Sequence, residues 1–227
     1  MSAIAQPTDA KLRHPFRTDD PQLRPIADKV LAQERLSESD ALALYRSGDI
    51  LAIGWLANHV RERMHGDTAY FNVNRHINYT NVCVAACRLC AFGRKKDAPG
   101  AYTMALQEVW DTAATGYTEA VTEFHIVGGL HADLPFQYYL DLISGLKERF
   151  PQVHLKAFTM VEIAFFARIG KSTPRDVLLR LKRAGLDSLP GGGAEIFSDR
   201  VRRTSSATTR STATIGLLSR APRTKSG

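Results

Sequence analysis

All three cysteines of the 227-residue chain fall in the stretch Asn81-Val82-Cys83-Val84-Ala85-Ala86-Cys87-Arg88-Leu89-Cys90-Ala91-Phe92. Spacings of three and two intervening residues let one short loop turn three sulfurs toward a common point, where soft thiolates suit zinc, copper(I) or an iron-sulfur cluster. The count of three is informative. A closed structural zinc site takes four ligands, and a disulfide framework takes an even number of cysteines. On a cube-shaped four-iron cluster, three cysteines hold three irons and leave the fourth open to a ligand from outside the protein. The competing reading is zinc held by Cys83, Cys87 and Cys90 with His76 as a fourth ligand, a non-enzymatic binding module. Cysteines placed only for packing have no reason to cluster.

The thiols also bear on compartment. The first 20 residues contain Pro7, Arg13, His14, Pro15 and Arg17 and no apolar run, so no secretory signal is expected there. The stretch Ile50 to Ala57 is too short to cross a bilayer. A cytoplasmic location follows as the expectation, with reduced thiols available to a metal and no membrane partner. The net charge of +7 suggests nucleic acid until it is located. From Arg200 onward there are seven basic residues and no acid, whereas residues 1–199 carry 23 of each sign. A phosphate-binding surface needs its charge on the folded part, so no nucleic-acid partner is expected.

Along the chain, residues 1–20 read as a flexible leader and residues 21–66 as a helical region. Leu23, Ile26, Val30 and Leu31 recur at helical spacing between about Pro21 and Leu36. Ser37 and Asp40 form a capping-box signature ahead of Ala41 to Ser47, and a third helix runs from Ile50 to Met64 and stops at Gly66. From Tyr70 the rhythm turns extended, with Phe71, Val73, Arg75 and Ile77 leading into the cysteine loop. Thr103 can cap a helix to about Tyr117. Strands follow at Glu123 to Val127 and Val153 to Phe158, separated by a helix marked by Phe136, Tyr139, Leu140, Ile143 and Phe150. Thr173, Pro174 and Asp176 start another helix that ends at Gly185, and Leu186 to Leu189 reads as a fourth strand. Alternation of strand and helix implies a parallel sheet with helices outside it and a site at the carboxyl ends of the strands. Residues 67–203 therefore read as an α/β unit, half of a TIM-type (βα) barrel.

Residues 204–227 break this pattern: they contain eleven Ser or Thr, no acid and no aromatic residue. Such a segment buries too little apolar surface to offset its ordering entropy and is expected to be a disordered basic tail. The codons of Thr204 to Gly216 leave their third bases largely free, and with suitable third bases a frame offset by two bases can spell a more ordinary protein sequence. A frameshift near Arg203, or a truncation, is the corresponding expectation.

Four further places carry candidate chemistry. Gly128 and Gly129, in His125-Ile126-Val127-Gly128-Gly129-Leu130-His131, end a strand where backbone must approach something closely, either a ligand or a tight turn of the chain itself. His154 and Lys156 alternate with Val153, Leu155 and Ala157, giving that strand one polar face. Glu162, just past Thr159, is placed either to meet ribose hydroxyls or substrate, or to serve as an early-turn acid favoured by the helix dipole. Gly191-Gly192-Gly193, with Glu195 beside it, offers backbone amides to an anion or nucleotide, or is a flexible connector.

Taken jointly, Asn74-Arg75-His76-Ile77-Asn78-Tyr79-Thr80-Asn81, the cysteine loop, Gly128-Gly129-Leu130-His131-Ala132-Asp133-Leu134-Pro135, Lys156-Ala157-Phe158-Thr159 and Leu189-Pro190-Gly191-Gly192-Gly193-Ala194-Glu195-Ile196-Phe197 resemble the aminofutalosine synthases. These are radical S-adenosylmethionine enzymes of the futalosine route to menaquinone, and the likeness runs from about residue 21 to Arg203. The resemblance implies a partial TIM-type barrel of the radical S-adenosylmethionine class with an N-terminal helical extension. It implies a 4Fe-4S cluster on Cys83, Cys87 and Cys90, with S-adenosyl-L-methionine chelated at the open iron and approached by Gly128, Gly129 and Glu162. The implied reaction adds a 5'-deoxyadenosyl radical to the enol ether 3-[(1-carboxyvinyl)oxy]benzoate, giving aminofutalosine. An electron donor such as flavodoxin or ferredoxin is implied as a partner. Dehypoxanthine futalosine cyclase and the radical enzymes of deazaflavin (FO) synthesis are near relatives and the alternative assignments. Leu89 stands where many relatives place an aromatic, so no adenine contact is carried to that position. The family's later strands do not follow in this chain, which is expected to be inactive as it stands.

Overall fold

A computed structural model describes residues 15–85, 87–88, 90–192, 198 and 200 of the chain. The tail expected over 204–227, most of the leader, and Gly193 and Glu195 lie outside the described residues. Two compact units are present, one ending at Phe71 and one beginning at Asn72.

The first unit holds three helices, α1 (Leu23–Leu31), α2 (Glu38–Arg46) and α3 (Ile50–His65). Leu23, Ile26, Ala27 and Val30 of α1 pack with Ala52 and Leu56 of α3 into a small core of their own. The capping box forms as read: Ser37 Oγ receives the Asp40 N–H at 3.2 Å, and the Ser37 N–H reaches Asp40 Oδ2 at 2.8 Å. Its consequence is that α2 starts at Glu38 rather than Ala41, directly after the cap. Lys29 of α1 holds the same Asp40 carboxylate at 2.8 Å. That ammonium, with the Ser37 backbone and hydroxyl donors, pulls the Asp40 pKa down to about 2.

The second unit is a three-stranded parallel sheet in the order β1 (Asn74–Ile77), β2 (Glu123–Ile126), β3 (His154–Ala157). Parallel neighbours require crossovers. Helices α4 (Leu106–Ala114) and α5 (Phe136–Arg149) provide them, and α6 (Met160–Ile169) and α7 (Pro174–Ala184) follow β3. Ile77, Phe124, Ile126, Leu155 and Ala157 point to one face and join Val109, Leu142, Ile143, Leu146, Ile163 and Leu181 from the helices in a single core. Burial of each such large aliphatic side chain stabilises by about 1.5–3 kcal/mol relative to exposure. The centre is aromatic: Tyr139 stands edge-on to Tyr79 at 5.6 Å and to Phe158 at 5.9 Å, and lies 4.0 Å from Phe166 between ring centroids.

Three expectations are corrected. Tyr70 and Phe71 are exposed, and the first strand begins only at Asn74, where pairing with Glu123 becomes available. Thr103 does not cap α4: its hydroxyl lies 2.8 Å from that of Thr80, and the helix starts after Ala105, whose N–H is taken by Glu108 at 2.6 Å. Leu186 to Leu189 forms only an isolated bridge, Lys156 with Ser188, and another joins Thr159 to Gly191. The reason is Asp187. Its carboxylate receives the Leu155 N–H at 2.8 Å, so a side chain occupies a place on β3 that a strand carbonyl would take.

Candidate active site

The cysteine loop leaves β1 through a closely tied base. Asn81 donates its side-chain amide to Gly100 O and accepts the Tyr102 N–H, both at 2.8 Å. The Arg94 N–H reaches Asn81 O and the Cys83 N–H reaches Arg94 O, again at 2.8 Å, so the two ends of the loop bond to each other. The Val84 N–H donates to Leu130 O at 3.1 Å, fastening the loop to the turn after β2. Cys83 and Cys87 are half-buried and Cys90 is exposed. The Gly93 N–H donates to the Cys90 sulfur at 3.3 Å.

The structure brings Cys83, Cys87 and Cys90 to the wall of one pocket of about 510 Å³, together with Gly128, Thr159, Glu162 and Gly192. The pocket lies past the carboxyl ends of the strands, where a parallel α/β sheet places its ligands. Arg94 and Lys95 are on the same wall and supply positive charge beside the thiols. Among the described residues, no set of three His, Cys, Asp or Glu is drawn close enough to grip an ion by itself. His76, the fourth ligand of the zinc reading, is on β1 with its ring 4.7 Å from that of His125, and it is not among the residues lining the pocket. Three thiols on one loop, with His76 away from the pocket they line, are a donor set that fits a cluster with one iron left to an outside ligand.

The glycines answer a demand from the chain itself. A Cβ on Gly129 would lie 2.1 Å from Val82 O, and one on Gly128 would lie 2.5 Å from the Tyr79 ring. Both clashes are with the segment that carries the cysteines, so the paired glycines let the two loops meet. Their N–H groups are already used, Gly129 on Thr80 O at 2.9 Å and Gly128 on Glu162 Oε1 at 3.1 Å.

Glu162 acts as an early-turn acid and also stands on the pocket wall. It closes a capping box on α6, with Oε2 accepting the Thr159 N–H at 2.6 Å and the Thr159 hydroxyl at 2.7 Å. Oε1 accepts the Tyr79 hydroxyl at 2.7 Å as well as the Gly128 N–H. These four bonds use the carboxylate's four lone-pair directions. Burial pushes the Glu162 pKa above the ordinary value, against the pull of its donors. Tyr79 itself is fully buried, and burial followed by the neighbouring Glu162 raises its pKa far enough to keep the phenol neutral. Sequence reasoning did not single out Tyr79. Its ring could have been found only as an aromatic sitting between a strand and a cysteine loop.

Phe158 adds a strained backbone at the same place. Its φ is +65°, a left-handed conformation that costs a bulky residue of order 1–3 kcal/mol. It is held there by its N–H on Ile126 O at 2.9 Å and by complete burial of the ring. The result is a sharp hand-over from β3 to Thr159 and Glu162.

No protein-family model matches the chain. It is 47% identical over 184 residues to aminodeoxyfutalosine synthase of Thermus thermophilus, covering 81% of this chain and 50% of that protein. It is 48% identical over 180 residues to aminodeoxyfutalosine synthase of Streptomyces coelicolor, covering 79% and 46%. The chain is thus similar, over most of its own length, to two aminodeoxyfutalosine synthases. It spans about half the length of the curated relatives it matches. Among solved structures, the crystal structure of methylornithine synthase aligns with a TM-score of 0.62 at 18% identity, over 86% of this chain and 54% of that one. That likeness bears on the fold alone, an α/β arrangement built on a parallel sheet. Among the described residues no helix is long and apolar enough to cross a membrane.

Proposed function

We propose that Cys83, Cys87 and Cys90 hold a 4Fe-4S cluster and that the pocket they line receives S-adenosyl-L-methionine. The observation that carries this reading is the convergence of the three cysteines with Gly128, Thr159 and Glu162 on one pocket at the strands' carboxyl ends. When bound, the cluster and S-adenosyl-L-methionine supply a 5'-deoxyadenosyl radical. The protein's own part is to position and exclude. The Asn81–Arg94 base fixes the cysteine loop, the Gly128–Gly129 turn brings β2 against it, and Glu162 joins both to α6. Arg94 and Lys95 offset the negative charge of the thiolates.

The activity proposed for the whole protein is formation of aminodeoxyfutalosine from 3-[(1-carboxyvinyl)oxy]benzoate, with a flavodoxin or ferredoxin as electron donor in the cytoplasm. Support comes from identity near one half with two synthases of that name. Cyclisation of dehypoxanthine futalosine and deazaflavin synthesis are the neighbouring reactions.

Anaerobic reconstitution with iron and sulfide, followed by Mössbauer spectroscopy and assay of 5'-deoxyadenosine release, tests the cofactor reading. The expected result is a four-iron signal lost on removal of any one cysteine; stoichiometric zinc without a cluster would overturn it. Incubating a full-length protein containing this segment with the enol ether and, separately, with dehypoxanthine futalosine tests the substrate. Turnover of the second alone would reassign the reaction.

A further inference from the structure

The face of the sheet turned away from the helices carries a second concentration of chemistry. Since Ile77, Ile126 and Ala157 enter the core, the residues one position earlier, His76, His125 and Lys156, share the opposite face. The register sets them side by side in one row across β1, β2 and β3. The two imidazole rings are 4.7 Å apart and inclined by 58°. Behind the row stands Glu123, whose Oε2 is 2.8 Å from Lys156 Nζ. Its Oε1 is buried, accepts no hydrogen bond among the described residues, and lies 3.9 Å from His125 Nδ1.

This is a group of donors short of an anion. Lys156 has three N–H donors and its ammonium meets the single carboxylate of Glu123, while each imidazole offers at least one more. Burial disfavours a charge on His125, and His76 and Lys156 add to that by repulsion. An anion laid against the row would reverse the balance. His125 as an imidazolium would donate from Nδ1 toward the unsatisfied oxygen of Glu123 and from Nε2 to the bound group, completing both at once. The row sits one residue before the ends of the strands, just under the turn that leads from β2 to Gly128. A small molecule held here would extend toward the cysteine pocket.

We propose that His76, His125 and Lys156, backed by Glu123, form a receptor for the carboxylate of a small aromatic acid. The aromatic choice rests on the functional reading above; the receptor geometry does not. The test is calorimetric titration of the 227-residue chain, prepared without a cluster, with 3-hydroxybenzoate and with 3-hydroxybenzamide at equal ionic strength. The acid is expected to bind about tenfold more tightly than the amide, the discrimination a charge-assisted hydrogen bond supplies. Replacing both imidazoles (His76→Gln with His125→Gln) should remove that preference while leaving the thermal midpoint in place. In parallel, the ring resonances of His76 and His125 should move with 3-hydroxybenzoate and stay with chloride. Equal binding of acid and amide, or acid binding that survives the double substitution, overturns the proposal. Because neither measurement uses the cluster, failure of the radical reading would show separately as absence of iron loading or of 5'-deoxyadenosine.

Discussion

The Tyr79 hydroxyl donates to Glu162 Oε1 at 2.7 Å, joining the exit of β1 to the first turn of α6 across 83 positions of chain. Both groups are fully buried, so neither finds a substitute in water. Tyr79→Phe keeps the ring and removes one donor. It should lower stability by about 1–3 kcal/mol, measured by urea denaturation. Glu162→Gln should cost more, because its amide places an N–H group among donors from Thr159, Gly128 and Tyr79. A loss no greater than for Tyr79→Phe would show that the carboxylate is not the centre of this junction.

Two glycine substitutions should move stability in opposite directions. Gly129→Ala sets a Cβ 2.1 Å from Val82 O, a backbone atom of the cysteine loop, and is expected to destabilise by about 1–3 kcal/mol. Gly54→Ala falls inside α3 with nothing within 4 Å of the new methyl, and should stabilise by about 0.5–1 kcal/mol. Thermal melts of the two variants beside the parent chain decide this.

Replacement of Cys83, Cys87 or Cys90 singly by Ala should reduce bound iron and sulfide from about four of each per chain toward none after anaerobic reconstitution. The near-ultraviolet dichroism of the aromatic core should be unchanged. Retention of full iron by any single variant would remove that cysteine from the ligand set.

In the helical unit, Asp40 has its pKa lowered from 3.8 to about 2, chiefly by the Lys29 hydrogen bond. A carboxylate depressed in the folded state contributes stability above its unfolded pKa and loses it as pH falls through the folded one. The difference in stability between the parent and Asp40→Asn should therefore be constant above pH 3.8 and shrink between 3.8 and about 2. Helical dichroism followed along an acid titration of both proteins checks the sign.

Much of the scaffold was legible because it rests on local chemistry. Ser37 with Asp40, Thr173 with Pro174 and Asp176, and Gly185 mark helix ends through atoms three or four residues apart, and each acts as its type suggests. The cysteine loop was legible as a motif. What was not legible depends on distant partners. Thr103 has the residue type of a cap, but Thr80 takes its hydroxyl. Leu186 to Leu189 has the composition of a strand, but the Asp187 side chain intervenes. For Gly128 and Gly129 the need for small residues could be read, while the object they approach, Tyr79 and Val82, could not. Glu162 allowed two roles on sequence grounds; Thr159 three residues earlier makes the capping role legible, while the bond from Tyr79 depends on a partner 83 positions away.

The paired bonds at the base of the loop, Arg94 N–H on Asn81 O and Cys83 N–H on Arg94 O, make the cysteine segment a detachable cassette. Its ends are joined to one another, so a change in its exposed part around Cys90 is not passed along the chain into β1 or α4, while Ala85 stays anchored in the core. A designer wishing to graft another cysteine spacing onto this scaffold, or this loop onto another parallel sheet, would keep that pair, the Val84–Leu130 rung and the buried Ala85, and vary the exposed remainder.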